Sequence, residues 1–154
     1  MAKFSKTSKT RLETCHQDLQ ILFGYVVQHF DCSIICGHRT PEEQFELYQK
    51  GRKLIGGVWT IEDPRQVVTY KNGLDKQSKH NVWPSVAIDA MPYPIEWNNL
   101  DRARYFAGYV KGCARVLKSY GQIEHEIIWG NDWDNDTILR DQDFVDIPHM
   151  ELKL

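Results

Sequence analysis

The chain has no apolar run long enough to cross a bilayer, no internal repeat and no Gly/Ser-rich linker. No apolar stretch follows the basic N-terminal residues, which argues against a secretory signal of the usual kind. Basic and acidic residues number 19 and 21, so the formal net charge of -2 provides no broad attraction to nucleic acid or to an anionic membrane. We therefore expect one domain over residues 1–154, made in a cytoplasm, with no nucleic-acid partner and no membrane insertion.

Cysteine is scarce for a disulfide scaffold of this length: the chain has Cys15, Cys32, Cys36 and Cys113. Cys32 and Cys36 enclose an apolar run, and their spacing puts both side chains on one face of a strand. We interpret them as small buried hydrophobic residues, because a zinc pair would need a tighter turn between the thiols and a second pair elsewhere. A chain of 154 residues can bury a core without disulfide bonds.

Three segments show helical periodicity. The first covers about residues 8–30. The second begins with a capping box at Thr40 and Glu43 and ends at Gly51. The third covers about residues 99–120. The apolar positions that recur at three- and four-residue steps in the first segment are Leu12, Cys15, Leu19, Leu22, Val26 and Phe30.

Short apolar segments between these helices predict strands. They are Cys32–Cys36, Val86–Met91, Glu126–Trp129 and a run from Phe144 to about Leu152. Residues 52–77 carry turn signals and are expected to be irregular, apart from a possible short strand at Val67–Thr69. This order of elements predicts an α+β fold with a small, mostly antiparallel sheet and helices packed on it.

Two of the six histidines lie close in sequence to an aspartate that could act with them. His80 precedes Asp89 by nine residues, and His149 follows Asp146 by three. A catalytic zinc site uses about three His or Asp/Glu ligands and keeps one position open, so His80, Asp89 and His149 could form such a set. Spacing alone does not decide this, because scattered core or surface histidines are the more common explanation of such a pattern.

Local geometry agrees with this interpretation. Asp89 alternates with Val86, Ile88 and Ala90 along a strand, so it would face a cleft if those three face the core. Residues three apart point to opposite faces of a regular strand, which separates Asp146 from His149. Pro148 cannot join a ladder, and we expect a kink there that brings the two together.

Four motifs resemble the zinc D,D-carboxypeptidase family, which includes VanY-type carboxypeptidases, VanX-type dipeptidases and the L-alanyl-D-glutamate peptidases used as phage endolysins. Ser78–Asp89 is similar to the S-x-H-x-x-G-x-A-x-D signature, and Asp146–Leu152 to the acidic-x-x-His signature. Gly37–Tyr48 supplies the Arg, Gln and Leu-Tyr element, and Trp129–Trp133 the Trp-Gly-x-Asp-Trp element. The first signature here is two residues longer than its short form, and we expect the extra residues to bulge out in Asn81–Pro84.

The resemblance implies a role for each matching residue. Zn²⁺ would be bound by His80, Asp89 and His149. Asp146 would be the general base, and Arg39 would polarise the scissile carbonyl and stabilise the developing oxyanion. The remaining histidines are interpreted as non-ligands: His16, His29, His38 and His125.

Ser78 would hold the substrate peptide, although it could instead only hydrogen-bond its own loop. Arg39 could pair with Glu43 rather than act in catalysis. Trp129 and Trp133 could line the cleft or fill the core beside it. The run of aspartates from position 132 is similar to the start of a calcium loop, but the position that needs glycine holds another residue, so we interpret it as a solvated loop.

The family further implies a substrate and a place of action. The expected activity is hydrolysis of a peptidoglycan stem peptide at the L-alanyl-D-glutamate bond by a monomeric phage endolysin. Such an enzyme would be made in the host bacterial cytoplasm and would reach the cell wall after holin-type release. Two alternatives remain open: a D-Ala-D-Ala carboxypeptidase or dipeptidase with the same site, and a zinc-binding module without catalysis.

Overall fold

The computed structural model describes all 154 residues. Its N-terminal part holds two helices, α1 (Lys6–Leu12) and α2 (Gln17–His29), where the sequence predicted one. The prediction was wrong because the chain turns between them: Cys15 forms a β-bridge with Ser85, and the His16 amide donates to the Ser85 carbonyl at 2.8 Å. The His16 imidazole then accepts from the Asp18 amide and caps α2. The apolar stripe still joins the hydrophobic core, with Phe30 only partly buried, because α1 packs on β1 and α2 packs mainly on the long helix at Leu100–Ser119.

The central sheet consists of β1 (Cys32–Cys36), β4 (Ala87–Pro92), β5 (Glu126–Trp129) and β6 (His149–Lys153). These four strands are antiparallel and lie in the order β1-β4-β6-β5. Three of them match the predicted strands closely, and the fold class is confirmed. The last strand was predicted too long: the His149 amide donates to the Asp146 carbonyl at 3.1 Å, which closes a turn, and β6 begins only there.

A β-bulge interrupts the pairing of β1 with β4. Ile34 pairs with Ala90 and Cys36 with Asp89, so Ile35 is the extra residue. A bulge re-aims the side chains that follow it. Cys32 is buried as predicted, but Cys36 is only half-buried and turns toward Asp89 instead of the core. The prediction that both thiols share one face was therefore wrong for Cys36.

Helix α3 (Pro41–Gln49) begins with the predicted capping box and leads into a hairpin that the sequence analysis missed. Strands β2 (Arg52–Ile55) and β3 (Val58–Ile61) pair across Gly56–Gly57, and both glycines have positive φ. Gly-Gly between two short strands is a hairpin signal, because such two-residue turns need positive φ. The short strand predicted at residues 67–69 is not formed.

Helix α4 (Leu100–Ser119) matches the third predicted helix and packs against α2 and the sheet. A single cluster of buried apolar residues joins the helices to one face of the sheet. No helix combines the length and the apolar character that a membrane span requires. The opposite side of β4 and β6 carries polar side chains, and the loops at residues 62–81 and 130–148 surround it.

Candidate active site

His80, Asp89 and His149 meet at one point although they come from distant parts of the sequence. Asp89 and His149 are directly paired across β4 and β6, and His80 enters from a short 3₁₀ turn. His80 Nε2 lies 3.2 Å from Asp89 Oδ1 and 3.2 Å from His149 Nδ1. His149 Nδ1 lies 3.4 Å from Asp89 Oδ1. Three potential ligand atoms thus form a nearly equilateral triangle.

This triangle has the dimensions of one face of a zinc tetrahedron. Zinc binds N and O ligands at about 2.0–2.1 Å, which places neighbouring ligand atoms of a tetrahedral site roughly 3.3–3.4 Å apart. The three distances of 3.2, 3.2 and 3.4 Å agree with that spacing. The donor set, two imidazoles and one carboxylate, is one that zinc accepts, so the residues fit the ion.

Each imidazole is oriented by a contact from its other nitrogen. His80 Nδ1 lies 2.7 Å from the Gly37 carbonyl oxygen, which can only accept, so Nδ1 carries a proton and Nε2 is the nitrogen that faces Asp89 and His149. His149 Nε2 lies 2.9 Å from Glu151 Oε2. Partners of this kind fix the tautomer and the ring plane of metal-binding histidines. Glu151 was not among the predicted site residues, and its position two residues after His149 on one strand face is the signal for it.

The two imidazoles of the cluster bind protons tightly when no metal cation is present. Burial opposes the charge on His80, but its contacts with Asp89 and Cys36 outweigh burial and raise its pKa to about 10. Burial likewise opposes the charge on Asp89, yet the two imidazoles lower the pKa of its carboxyl strongly. The pKa of His149 is raised by Asp89 and Glu151 despite burial. Because these groups must lose protons to bind a metal, metal binding competes with protonation.

Asp146 lies beside the triangle and has a free carboxylate. One of its oxygens lies within 4.8 Å of ligand atoms of Asp89 and His149. Burial and then the charge on Asp89 raise its pKa, which makes it a stronger base than an ordinary aspartate. The turn that the sequence analysis expected at Pro148 is present and places Asp146 and His149 on the same side.

Gly130 explains part of the Trp-Gly motif. The Gly130 carbonyl accepts from the Asp146 amide at 2.7 Å, and the two backbones are in close contact. A Cβ added at Gly130 would lie 2.1 Å from the Asp146 carbonyl oxygen, so only glycine fits. The motif therefore positions Asp146. Trp129 is buried and donates to the Ile147 carbonyl at 2.7 Å, which supports the same turn from the core side.

Arg39 is held against the triangle by three contacts. Its Nη2 lies 3.5 Å from Asp89 Oδ2 and 3.4 Å from Cys36 Sγ, and its Nη1 donates to Gln44 Oε1 at 2.8 Å. The alternative pairing with Glu43 is not formed, because the Glu43 carboxylate accepts from the Thr40 amide in the capping box. The guanidinium is fixed and points to the same space as Asp146.

Gln44 is a site residue that the sequence analysis gave no role. Its side chain is buried, and its amide joins two walls of the site. While Oε1 accepts from Arg39, Nε2 donates to Thr69 Oγ1 at 3.2 Å and to the Lys71 carbonyl at 2.9 Å. Its signal was its place on the buried face of α3, five residues after Arg39.

All six predicted site residues line one open cavity of about 600 Å³. Part of its lining is aromatic: the Trp133 and His149 ring centroids are 5.3 Å apart, and Tyr70 and Phe144 meet edge to face at 6.1 Å. Ser78 accepts from the His80 amide at 3.3 Å, so the local hydrogen bond is formed. Ser78 also lines the cavity, and its contact with a substrate peptide stays a prediction. The predicted site residues are Arg39, Ser78, His80, Asp89, Asp146 and His149.

The other histidines do not line this cavity. Their interpretation as non-ligands stays a prediction, since His16 and His125 form with Asp18 a group close enough to hold an ion. His125 contacts Asp18 at 2.8 Å, and His16 contacts the same carboxylate at 3.9 Å. The expected outward bulge at residues 81–84 is present, with Val82 and Trp83 exposed.

The aspartate run was predicted to be a solvated loop, and this was wrong for its first residue. Asp132 is buried, and Lys111 on α4 donates to its carboxylate. The same ammonium donates to Asn135 at 2.6 Å. Lys111 therefore ties the loop that carries Trp133 to the body of the protein.

Comparison with known proteins assigns the chain to a family. Residues 1–153 match the family described as phage L-alanyl-D-glutamate peptidase. No curated protein sequence matches the chain significantly. Among solved structures, the crystal structure of the Serratia marcescens L-Ala D-Glu endopeptidase ChiX is similar, with a TM-score of 0.64 and 19% identity over 98% of this chain and 90% of that one. The fold is therefore shared with that endopeptidase, and by its sequence the chain belongs to the phage L-alanyl-D-glutamate peptidase family.

Proposed function

We propose that the chain is a zinc-dependent phage endolysin that hydrolyses the L-alanyl-D-glutamate bond of peptidoglycan. The observation that carries this proposal is the triangle of His80, Asp89 and His149, whose dimensions fit one face of a zinc tetrahedron. Family membership supports the peptidase activity and the bond. The donor set and its spacing support zinc over a hard cation such as Mg²⁺, which prefers six oxygen ligands.

Zinc in a site with three protein ligands supplies Lewis acidity, which polarises a carbonyl group and makes a water molecule more acidic. Asp146 then acts as the base that accepts the proton of the attacking water and passes it to the leaving amine. Arg39 donates from a fixed position to the carbonyl oxygen of the substrate, where negative charge develops. Gln44 and Asp89 hold the guanidinium so that it needs little reorganisation during the reaction.

We propose that the cavity takes a peptide chain. Its lining combines the polar side chains of Arg39 and Ser78 with the aromatic side chains of Trp133 and Phe144. A stem peptide is such a chain, and it carries both polar and apolar groups. We propose that release to the wall follows the holin route of phage endolysins, which the family assignment supports.

The decisive experiment is digestion of purified peptidoglycan, with the fragments identified by mass spectrometry. Chelator-sensitive cleavage after L-alanine, restored by Zn²⁺, is expected. Asp146→Asn should retain zinc and lose about 10²–10⁴-fold in rate, because general-base catalysis contributes that much. Release of terminal D-alanine alone would favour the carboxypeptidase alternative. Zinc binding without cleavage of any bond would favour the alternative of a zinc-binding module without catalysis.

A further inference from the structure

The charged groups that line the cavity divide into those that are paired and those that are not. Arg39 is paired with Asp89, and Asp89 also contacts both histidines. Glu151 is paired with His149. These contacts neutralise one another within the site, whereas Asp146, the base of the proposed reaction, keeps a free carboxylate. Although burial opposes the charge on Glu151, this carboxylate also feels the positive charge of Lys79 and Lys71, which helps to lower its pKa.

Two ammonium groups remain without a partner. Lys71 and Lys79 line the same cavity, and neither forms an ion pair or a side-chain hydrogen bond within the protein. Four other lysines are each paired with a carboxylate, namely Lys53, Lys111, Lys118 and Lys153, and the remaining unpaired lysines lie outside this cavity. The cavity thus has two cations available to a ligand.

The backbone that carries these lysines is fixed. The Lys71 carbonyl accepts from the buried amide of Gln44 at 2.9 Å, and the Lys71 amide donates to Thr69 Oγ1 at 3.2 Å. Lys79 lies between the cap residue Ser78 and the buried His80. The two ammonium groups are therefore delivered to the cavity from rigid positions, and only their side chains need to adjust.

The bond cut by this family implies an anion at this place. A D-glutamyl residue has two carboxyl groups and continues the peptide through only one of them, so the other remains free one residue from the cleaved bond. Resting on the proposed function, we propose that Lys71 and Lys79 form a carboxylate subsite that binds this free group of the D-glutamyl residue. Two lysines beside each other at an open cavity attract a carboxylate more strongly than a neutral amide. The subsite therefore selects stem peptides whose D-glutamyl carboxyl is unmodified over those in which it is an amide.

The test uses two synthetic stem peptides that differ only in that group, a free carboxyl in one and a carboxamide in the other. The zinc-loaded wild-type enzyme should cleave the carboxylate peptide roughly 10–100-fold faster in kcat/KM, as expected for charge-assisted hydrogen bonds. Lys71→Met and Lys79→Met should each reduce this preference about tenfold or less, and the double variant should abolish it. Lys53→Met, on the hairpin outside the cavity, should leave the preference unchanged.

Two results would overturn the subsite. One is equal cleavage of both peptides by the wild type, and the other is a double variant that keeps the full preference. Circular dichroism and zinc content confirm that the variants are folded and loaded. If the wild type cleaves neither peptide, the proposed function itself fails and the subsite fails with it, which is a different result from cleavage without preference.

Discussion

Gln44→Met removes the amide that joins Arg39 to the opposite wall of the cavity. Methionine has nearly the same volume, so the core should not collapse or overfill. The substitution leaves the Lys71 carbonyl and the Thr69 hydroxyl, whose hydrogen bonds to Gln44 are partly buried, without their donor. An unsatisfied buried polar group costs about 1–3 kcal/mol, which for a domain of this size corresponds to a fall in Tm of about 2–10 °C.

Activity should fall more than stability does. Arg39 keeps its contact with Asp89 but loses the acceptor that fixes Nη1. A displacement of about 1 Å in a positioned group can cost roughly 100-fold, and we expect a decrease of about 10–100-fold in kcat with little change in zinc content. Steady-state cleavage of a stem peptide and thermal unfolding measure the two effects.

Gln28→Met is the matched control. Gln28 is exposed, and its amide donates only to the Gly24 carbonyl in the preceding turn of α2. Its replacement should change the free energy of unfolding by no more than about 0.5 kcal/mol and leave kcat unaltered. If Gln44→Met behaves like this control in both assays, the role assigned to Gln44 is refuted.

Three further substitutions test other contacts. Glu151→Gln should weaken zinc binding about 10–100-fold in a competition assay with a chromophoric chelator, whereas the exposed Glu126→Gln should not; equal affinities would remove Glu151 from the site. Burial opposes the charge on Asp18, but hydrogen bonds from His125 and two backbone amides outweigh burial and lower its pKa. Asp18 therefore stabilises the fold above its unfolded pKa of about 3.9, and this stabilisation is lost as the pH falls through the folded pKa. Asp18→Asn should therefore reduce the free energy of unfolding by urea at pH 7 and flatten its decrease toward pH 3, and parallel curves for the two proteins would contradict this. Lys111→Met leaves a buried carboxylate without its cation and should cost about 3–5 kcal/mol; an unchanged Tm would show that the ion pair does not hold the loop.

Sequence periodicity and caps predicted the parts of the fold that depend on local chemistry. Helix α3 follows from its capping box, and the strand around Asp89 from alternation. The motifs also named the side chains that meet in the cavity, because their spacing reflects a sheet register in which Asp89 lies opposite His149.

Long-range contacts were the part that the sequence did not reveal. The break before α2 depends on the pairing of Cys15 with Ser85, which lies 70 residues further along the chain. The direction of the Cys36 side chain depends on the β-bulge that the extra residue Ile35 creates. No local preference of Ile35 predicts this bulge. Gln44 looked like an ordinary helix residue, because its partners come from two other segments.

The direct pairing of Asp89 with His149 places the proposed metal ligands and the proposed substrate contacts on different parts of the fold. Two ligands belong to central strands of the sheet, whereas most of the aromatic and cationic lining belongs to the loops at residues 62–79 and 130–146. Strands buried in a core tolerate little change, and surface loops tolerate much more. The same sheet can therefore accept exchanged loops, which makes these two segments the places to alter when an enzyme for a differently crosslinked or amidated wall is wanted.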